Sequence, residues 1–152
     1  METQTKAPVP KVPHARIALV AARYYTDVVD QLIVGAKAVI AEAGASADVV
    51  EVPGAFEAPA AIAHLGDRYH GYVALGCVIR GETSHYDYVC GESARALMDL
   101  AVFDKLAIGY GILTVENMAQ AVERADPNGR DKGGEAARAC LAIVDLARSL
   151  RA

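Results

Sequence analysis

Two rhythms of apolar residues alternate along this chain. Short, mainly apolar runs are followed by longer stretches in which every third or fourth residue is apolar. The runs Ile17–Ala21, Val49–Val52, Tyr72–Ile79 and Ala107–Leu113 predict buried strands. Between the first two, Thr26 opens a helix whose stripe is Val28, Leu32, Ala36, Val39 and Ala43, and Gly44 ends it. Pro53-Gly54 turns the chain into a second helix that runs to Gly66. A third helix spans Ser84 to about Asp104, with Ser84 and Asp87 spaced as a capping box. Thr114 is expected to cap a short helix through about Ala125. Asp131 is expected to cap the last helix, with the stripe Ala137, Cys140, Leu141, Val144 and Ala147.

Strand and helix alternating at these lengths imply an α/β fold, a parallel sheet with helices on both faces. Residues 1–14 carry Pro8, Pro10 and Pro13 and predict a flexible or extended arm. The remainder, 15–152, reads as a single domain. Ligands of such sheets bind beyond the C-terminal strand ends. Those ends here are 22–25, 53–57, 80–85 and 110–114.

Composition narrows the picture. The chain has 152 residues, of which 53% are hydrophobic but only 6% aromatic, so Ala, Val, Ile and Leu must build the core. A net charge of −4 argues against nucleic-acid binding, which needs a basic patch. No apolar run is long enough to span a membrane, and no apolar stretch before Ile17 suggests a secretory signal. Cys77, Cys90 and Cys140 lack metal-ligand spacing and read as structural thiols in a reducing cytoplasm.

The segment Arg80–Val89 carries the most chemistry. Gly81, Glu82 and Thr83 form a tight turn at a helix N-terminus, where N–H groups and the helix dipole attract anions. His85 sits in the first helical turn beside it, and imidazoles serve as acid and base near neutrality. A capped helix with an exposed histidine has the same sequence. Tyr24, after the first strand, could stack on a flat heterocycle; a Tyr24-Tyr25 pair could equally pack at a subunit boundary. Gly54 permits close approach of a ligand to the backbone, and Glu57 could accept hydrogen bonds from a polyol or simply compensate a helix dipole. Arg124 and Lys132 bracket the 125–131 loop; such cations bind phosphate or stay solvated. His14, His64 and His70 lie away from strand ends and read as structural or exposed. There is no G-x-G-x-x-G, Walker A or G-x-S-x-G pattern.

Taken together and in order, VPGAFEAP at 52–59, ALGCVIRGETSHYDYVCGES at 74–93, GILTVEN at 111–117 and Arg124…Asp131-Lys132-Gly133 resemble the lumazine synthase family. The resemblance covers roughly Ala15 to Leu150. It implies a flavodoxin-like three-layer sandwich around a four-stranded parallel sheet. It also implies homopentamers, which in some members assemble into sixty-subunit shells. The implied reaction condenses 5-amino-6-ribitylamino-uracil with 3,4-dihydroxy-2-butanone 4-phosphate to 6,7-dimethyl-8-ribityllumazine, phosphate and water, in riboflavin biosynthesis. No metal or organic cofactor is implied.

By the same resemblance, Tyr24 stacks on the pyrimidine, and Gly54, Ala55, Phe56 and Glu57 contact the ring and ribityl chain, with Val78 and Ile79 also on the substrate. Gly81, Glu82 and Thr83 form the phosphate turn, and His85 transfers protons. Tyr110 and the phosphate-binding Arg124 come from a neighbouring subunit, with Lys132 close to Arg124. The chain departs from the family in having Tyr24-Tyr25 for an aromatic-Asn pair, Tyr110 for a frequent Phe, and Pro127 in the loop before Lys132. The prolines of the arm impair strand addition to a neighbour, which favours free pentamers over shells. A non-catalytic lumazine- or flavin-binding protein would keep the ring contacts but could dispense with His85, Arg124 and Lys132. A phospho-receiver domain would need acidic residues at the ends of strands one and three, which read Ala21-Ala22-Arg23 and Val78-Ile79-Arg80.

Overall fold

A computed structural model describes residues 6–152. Its four parallel strands are β1 (Arg16–Ala22), β2 (Ser46–Val52), β3 (Gly71–Ile79) and β4 (Ile108–Val115), in the order β2-β1-β3-β4. The helices are α1 (Thr26–Glu42), α2 (Ala58–Leu65), α3 (His85–Phe103), α4 (Met118–Ala125) and α5 (Lys132–Arg151). Strand residues alternate between two cores. Ile17, Leu19, Val73, Leu75 and Leu113 pack with α1, α4 and α5. Ala18, Val20, Tyr72, Ala74 and Ile112 pack with α2 and α3. This is the expected α/β three-layer sandwich of the flavodoxin-like kind, with helices on both faces.

The strands run further than the apolar runs predicted. Strand β2 begins at Ser46, three residues before Val49, because the edge strand keeps pairing with β1 after its outer face turns polar. Strand β4 extends through Val115, so Thr114 is not a cap; Asn117 caps α4 by accepting from the Gln120 N–H at 2.9 Å. At α3, Ser84 makes no side-chain cap, and the expected Ser84–Asp87 box does not form. The Thr83 hydroxyl takes the N–H of His85 at 3.3 Å, and the Asp87 carboxylate turns to Arg80 at 3.5 Å. The expected cap at Asp131 is present: its carboxylate accepts from Gly134 N–H at 3.2 Å.

The proline-rich segment does not stand wholly apart from the core. Val12 is fully buried, Val9 packs on the α1/α5 core, and the Val12 N–H donates to the Ala43 carbonyl at 2.9 Å. Among the described residues, no helix is long and apolar enough to cross a membrane.

Two glycines let α5 approach its neighbours at backbone distance. A Cβ on Gly109 of β4 would overlap the Ala136 carbonyl of α5, and one on Gly133 would overlap the Leu32 carbonyl of α1. Neither obstacle is a side chain that could rotate away. Gly109→Ala is therefore expected to force α5 off the sheet and cost about 1–3 kcal/mol. Urea denaturation checks this; unchanged stability would mean that the β4–α5 contact yields without cost.

Candidate active site

Strand order reverses between β1 and β3. The chain leaves β1 for β2 on one side and then crosses back to β3 on the other, so a crevice opens beyond their C-terminal ends. An open groove of about 620 Å³ lies there. Each wall comes from a strand end. After β1, Arg23–Tyr25 forms a single 3₁₀ turn that brings Tyr24 and Tyr25 to the groove. After β2, a second 3₁₀ turn, Ala55–Glu57, follows Gly54 and presents Phe56 and Glu57. Cys77, Val78 and Ile79 end β3 on the floor, and Gly81, Thr83, His85, Tyr86, Tyr88 and Val89 complete the rim from the turn and the start of α3.

The aromatic content of this groove is high for so aromatic-poor a chain. Tyr24 is 77% and Phe56 58% exposed, so both ring faces are open to a ligand, not spent on the core. Tyr25 is half-buried and packs on the core, and it meets Tyr24 edge-on with centroids 4.9 Å apart. Tyr25 is thus held by the core, and Tyr24 is the more exposed of the pair. Burial pushes the Tyr25 hydroxyl upward from its ordinary range, so it stays neutral. Burial also pushes the Cys77 thiol up to about 11, which removes thiolate nucleophilicity from the floor. Among the described residues lining the groove, Glu57 is the sole carboxylate and His85 the sole imidazole, and there is no Lys or Arg.

The site residues expected from the sequence divide accordingly. Tyr24, Gly54, Ala55, Phe56, Glu57, Val78, Ile79, Gly81, Thr83 and His85 share this groove. Glu82 is exposed on the same turn but outside the lining. Tyr110, Arg124 and Lys132 are not brought into it by their own subunit. Tyr110 stands 47% exposed on the edge strand β4. Its hydroxyl is pushed upward by burial, and by the neighbouring Cys90 and Tyr86 of α3. Arg124, on α4, folds back on the Gln120 carbonyl at 3.2 Å, and Lys132 pairs with Glu135 at 3.0 Å across the first turn of α5. Tyr25 and Cys77, named from the sequence but not as site residues, also line the groove, as do Tyr86, Tyr88 and Val89, which the sequence did not single out. For the last three, helical spacing from His85 was the available signal: positions 85, 86, 88 and 89 cluster on one face of a first turn.

Arg80 closes the back of the turn. Its Nε donates to Glu116 at 3.2 Å, its guanidinium lies over the Tyr86 ring at 4.2 Å, and Asp87 is 3.5 Å away. The hydrogen bond to Glu116 holds the guanidinium still more firmly in its charged form.

This arrangement suits a flat heterocycle held between Tyr24 and Phe56, with a polar tail near Glu57 and an anionic group at the 81–83 turn. His85 lines the same groove, and an imidazole there can give or take protons. Comparison with known proteins identifies the family. Residues 14–148 match the family model described as 6,7-dimethyl-8-ribityllumazine synthase. A protein of that name from Methylorubrum extorquens is 55% identical over 141 residues, 88% of this chain and 82% of its own. One from Agrobacterium fabrum is 54% identical over 145 residues, 91% of this chain and 97% of its own. A 6,7-dimethyl-8-ribityllumazine synthase 1 from Rhizobium meliloti is 53% identical over 149 residues, covering 93% and 97%. With residues 14–148 matching the family model and relatives 54–55% identical over most of its length, this chain belongs to the 6,7-dimethyl-8-ribityllumazine synthase family.

Proposed function

We propose that this protein is a 6,7-dimethyl-8-ribityllumazine synthase, a transferase of riboflavin biosynthesis. It condenses 5-amino-6-ribitylamino-uracil with 3,4-dihydroxy-2-butanone 4-phosphate and releases phosphate and water. The observation that carries the reading is the convergence of Tyr24, Phe56, Glu57, the 81–83 turn and His85 on one groove at the strand-order reversal. A purely ligand-binding protein would have no use for an imidazole in the same groove as the ring site and the anion turn.

The residues act as follows in this reading. Tyr24 and Phe56 hold the pyrimidine by its faces, and Glu57 accepts from the ribityl hydroxyls. The N–H groups and dipole at the start of α3 hold the phosphate beside Gly81, Glu82 and Thr83. An amine then attacks a ketone, water leaves, phosphate is eliminated and the ring closes. Each step moves a proton, and His85 gives or takes it. Holding two substrates in one groove supplies effective molarity, worth roughly 7–11 kcal/mol when alignment is good. No cofactor enters these steps.

A phosphate site also needs cations, and one subunit offers none in its groove. We assign them to a neighbour: Arg124, Lys132 and the aromatic face of Tyr110 complete the site across a subunit interface. Unpartnered apolar surface supports association. Met98, Val102 and Phe103 on α3 and Ile143, Leu146 and Leu150 on α5 are all exposed in the single chain. A head-to-tail interface that closes as a ring fits a site shared in one direction, and a free homopentamer in the cytoplasm is the proposed form.

Incubating the protein with both substrates and following lumazine absorbance tests the activity. His85→Ala is expected to slow turnover about 10²–10⁴-fold while pyrimidine binding persists. Wild-type turnover in that variant would remove His85 from the mechanism.

Arg124→Ala is expected to raise the KM for the butanone phosphate far more than that for the pyrimidine. Inorganic phosphate should compete with the first substrate only. Equal effects on both would reassign Arg124 to assembly.

Light scattering is expected to find five subunits. A particle near sixty subunits would overturn the free pentamer, and an active monomer would end the shared-site reading.

A further inference from the structure

Arg80 follows β3 directly and precedes the Gly81–Thr83 turn, yet it does not line the groove. Its side chain joins separate elements. Nε lies 3.0 Å from Glu116 Oε2, just past the end of β4, and Nη1 lies 3.5 Å from Asp87 Oδ1 in the first turn of α3. The guanidinium carbon sits 4.2 Å from the centroid of Tyr86, also in that turn. The Arg80 N–H donates to the Val115 carbonyl at 2.9 Å, which fixes the residue to β4 by its backbone as well. Tyr86 and Asp87 are the two residues that follow His85. The hydrogen bond that fixes His85 itself is a backbone one, from its N–H to Thr83 Oγ1 at 3.3 Å. The direction of the imidazole therefore depends on how the first turn of α3 is held.

We propose that Arg80 is a positioning residue: with Glu116 it forms a strut that holds the first turn of α3, and so sets both His85 and the phosphate turn without binding phosphate itself. The proposal rests on the lumazine synthase reading of the groove. The guanidinium's charge already faces two carboxylates and its flat face already covers a ring. An exposed ion pair alone contributes little. Here two carboxylates and an aromatic face constrain one planar group from three directions, which a lysine cannot reproduce.

A phosphate ligand and a strut respond to Glu116 with opposite signs. Removing Glu116 would free a ligand arginine and tighten phosphate binding; it would loosen a strut and weaken it. The experiment measures kcat, both KM values and inhibition by inorganic phosphate for Arg80→Ala, Arg80→Lys and Glu116→Ala, with oligomeric state and thermal unfolding followed alongside. The strut predicts that all three lower kcat by roughly 10–100-fold. It also predicts that Glu116→Ala weakens phosphate inhibition and that Arg80→Lys fails to rescue. Stronger phosphate inhibition in Glu116→Ala, rescue by Arg80→Lys, or full activity in Glu116→Ala would overturn it. If Glu116→Ala does not assemble, Glu116→Gln, which keeps the side-chain shape, is read by the same signs. Wild-type protein that forms no lumazine would sink the functional reading; active wild type with an indifferent Glu116 would sink the strut alone.

Discussion

The pairing of β1 with β3 is the constraint on which the rest depends. Ile17 through Ala21 are fully buried, as are Tyr72 through Leu75 opposite them, so both strands are closed on both faces by helices. Two strands sealed this way can be reached only from their ends. The connection from β1 turns outward to β2, and the chain returns across β1 to enter β3. Nothing covers the gap between the two departing segments, and the groove is that gap. Ligand access and core burial are two results of one topology.

Close approach of α5 has consequences for the site as well as for stability. Gly133 lies against the Leu32 carbonyl of α1, and Asp131 sits in the left-handed region with φ 48° and its carboxylate buried beneath Gly35 and Gly134. The start of α5 is thus fixed in all directions, and Lys132 is the first residue it projects. Arg124, on the short amphipathic α4, is set by the Asn117 cap at the other end of the same connection. Within the single chain, Arg124 donates to the Gln120 carbonyl and Lys132 pairs with Glu135.

Electrostatics and shape divide the labour within the groove. Tyr24, Phe56 and Tyr88 are exposed, while the half-buried Tyr25 and the buried Cys77 stay neutral because burial raises both. The groove therefore carries one carboxylate, one imidazole and the backbone dipole of α3.

How much of this was legible in the sequence depends on the range of the interaction. Apolar runs located β1 and β3, which are buried on both faces, and also the partly exposed edge strands β2 and β4. The Asp131 cap and the αL Gly44 after α1 were also legible, because capping and left-handed backbone are local. Clusters at the strand ends pointed to Tyr24, Glu57, the 81–83 turn and His85 as one site. Competition between local and distant partners was not legible. Ser84 and Asp87 have capping-box spacing, but Arg80 draws Asp87 away and Thr83 caps instead. Thr114 has the chemistry of a cap, but pairing with Val78 keeps it in β4. Val12 lies among prolines, yet Ala43 and the α1/α5 core bury it. Nor could spacing alone reveal that Tyr25 is held by the core while Tyr24 is exposed, or that Arg124 and Lys132 stand apart from the groove. Sequence determines which residues can make a bond; tertiary packing decides which of the available partners is near enough to form it.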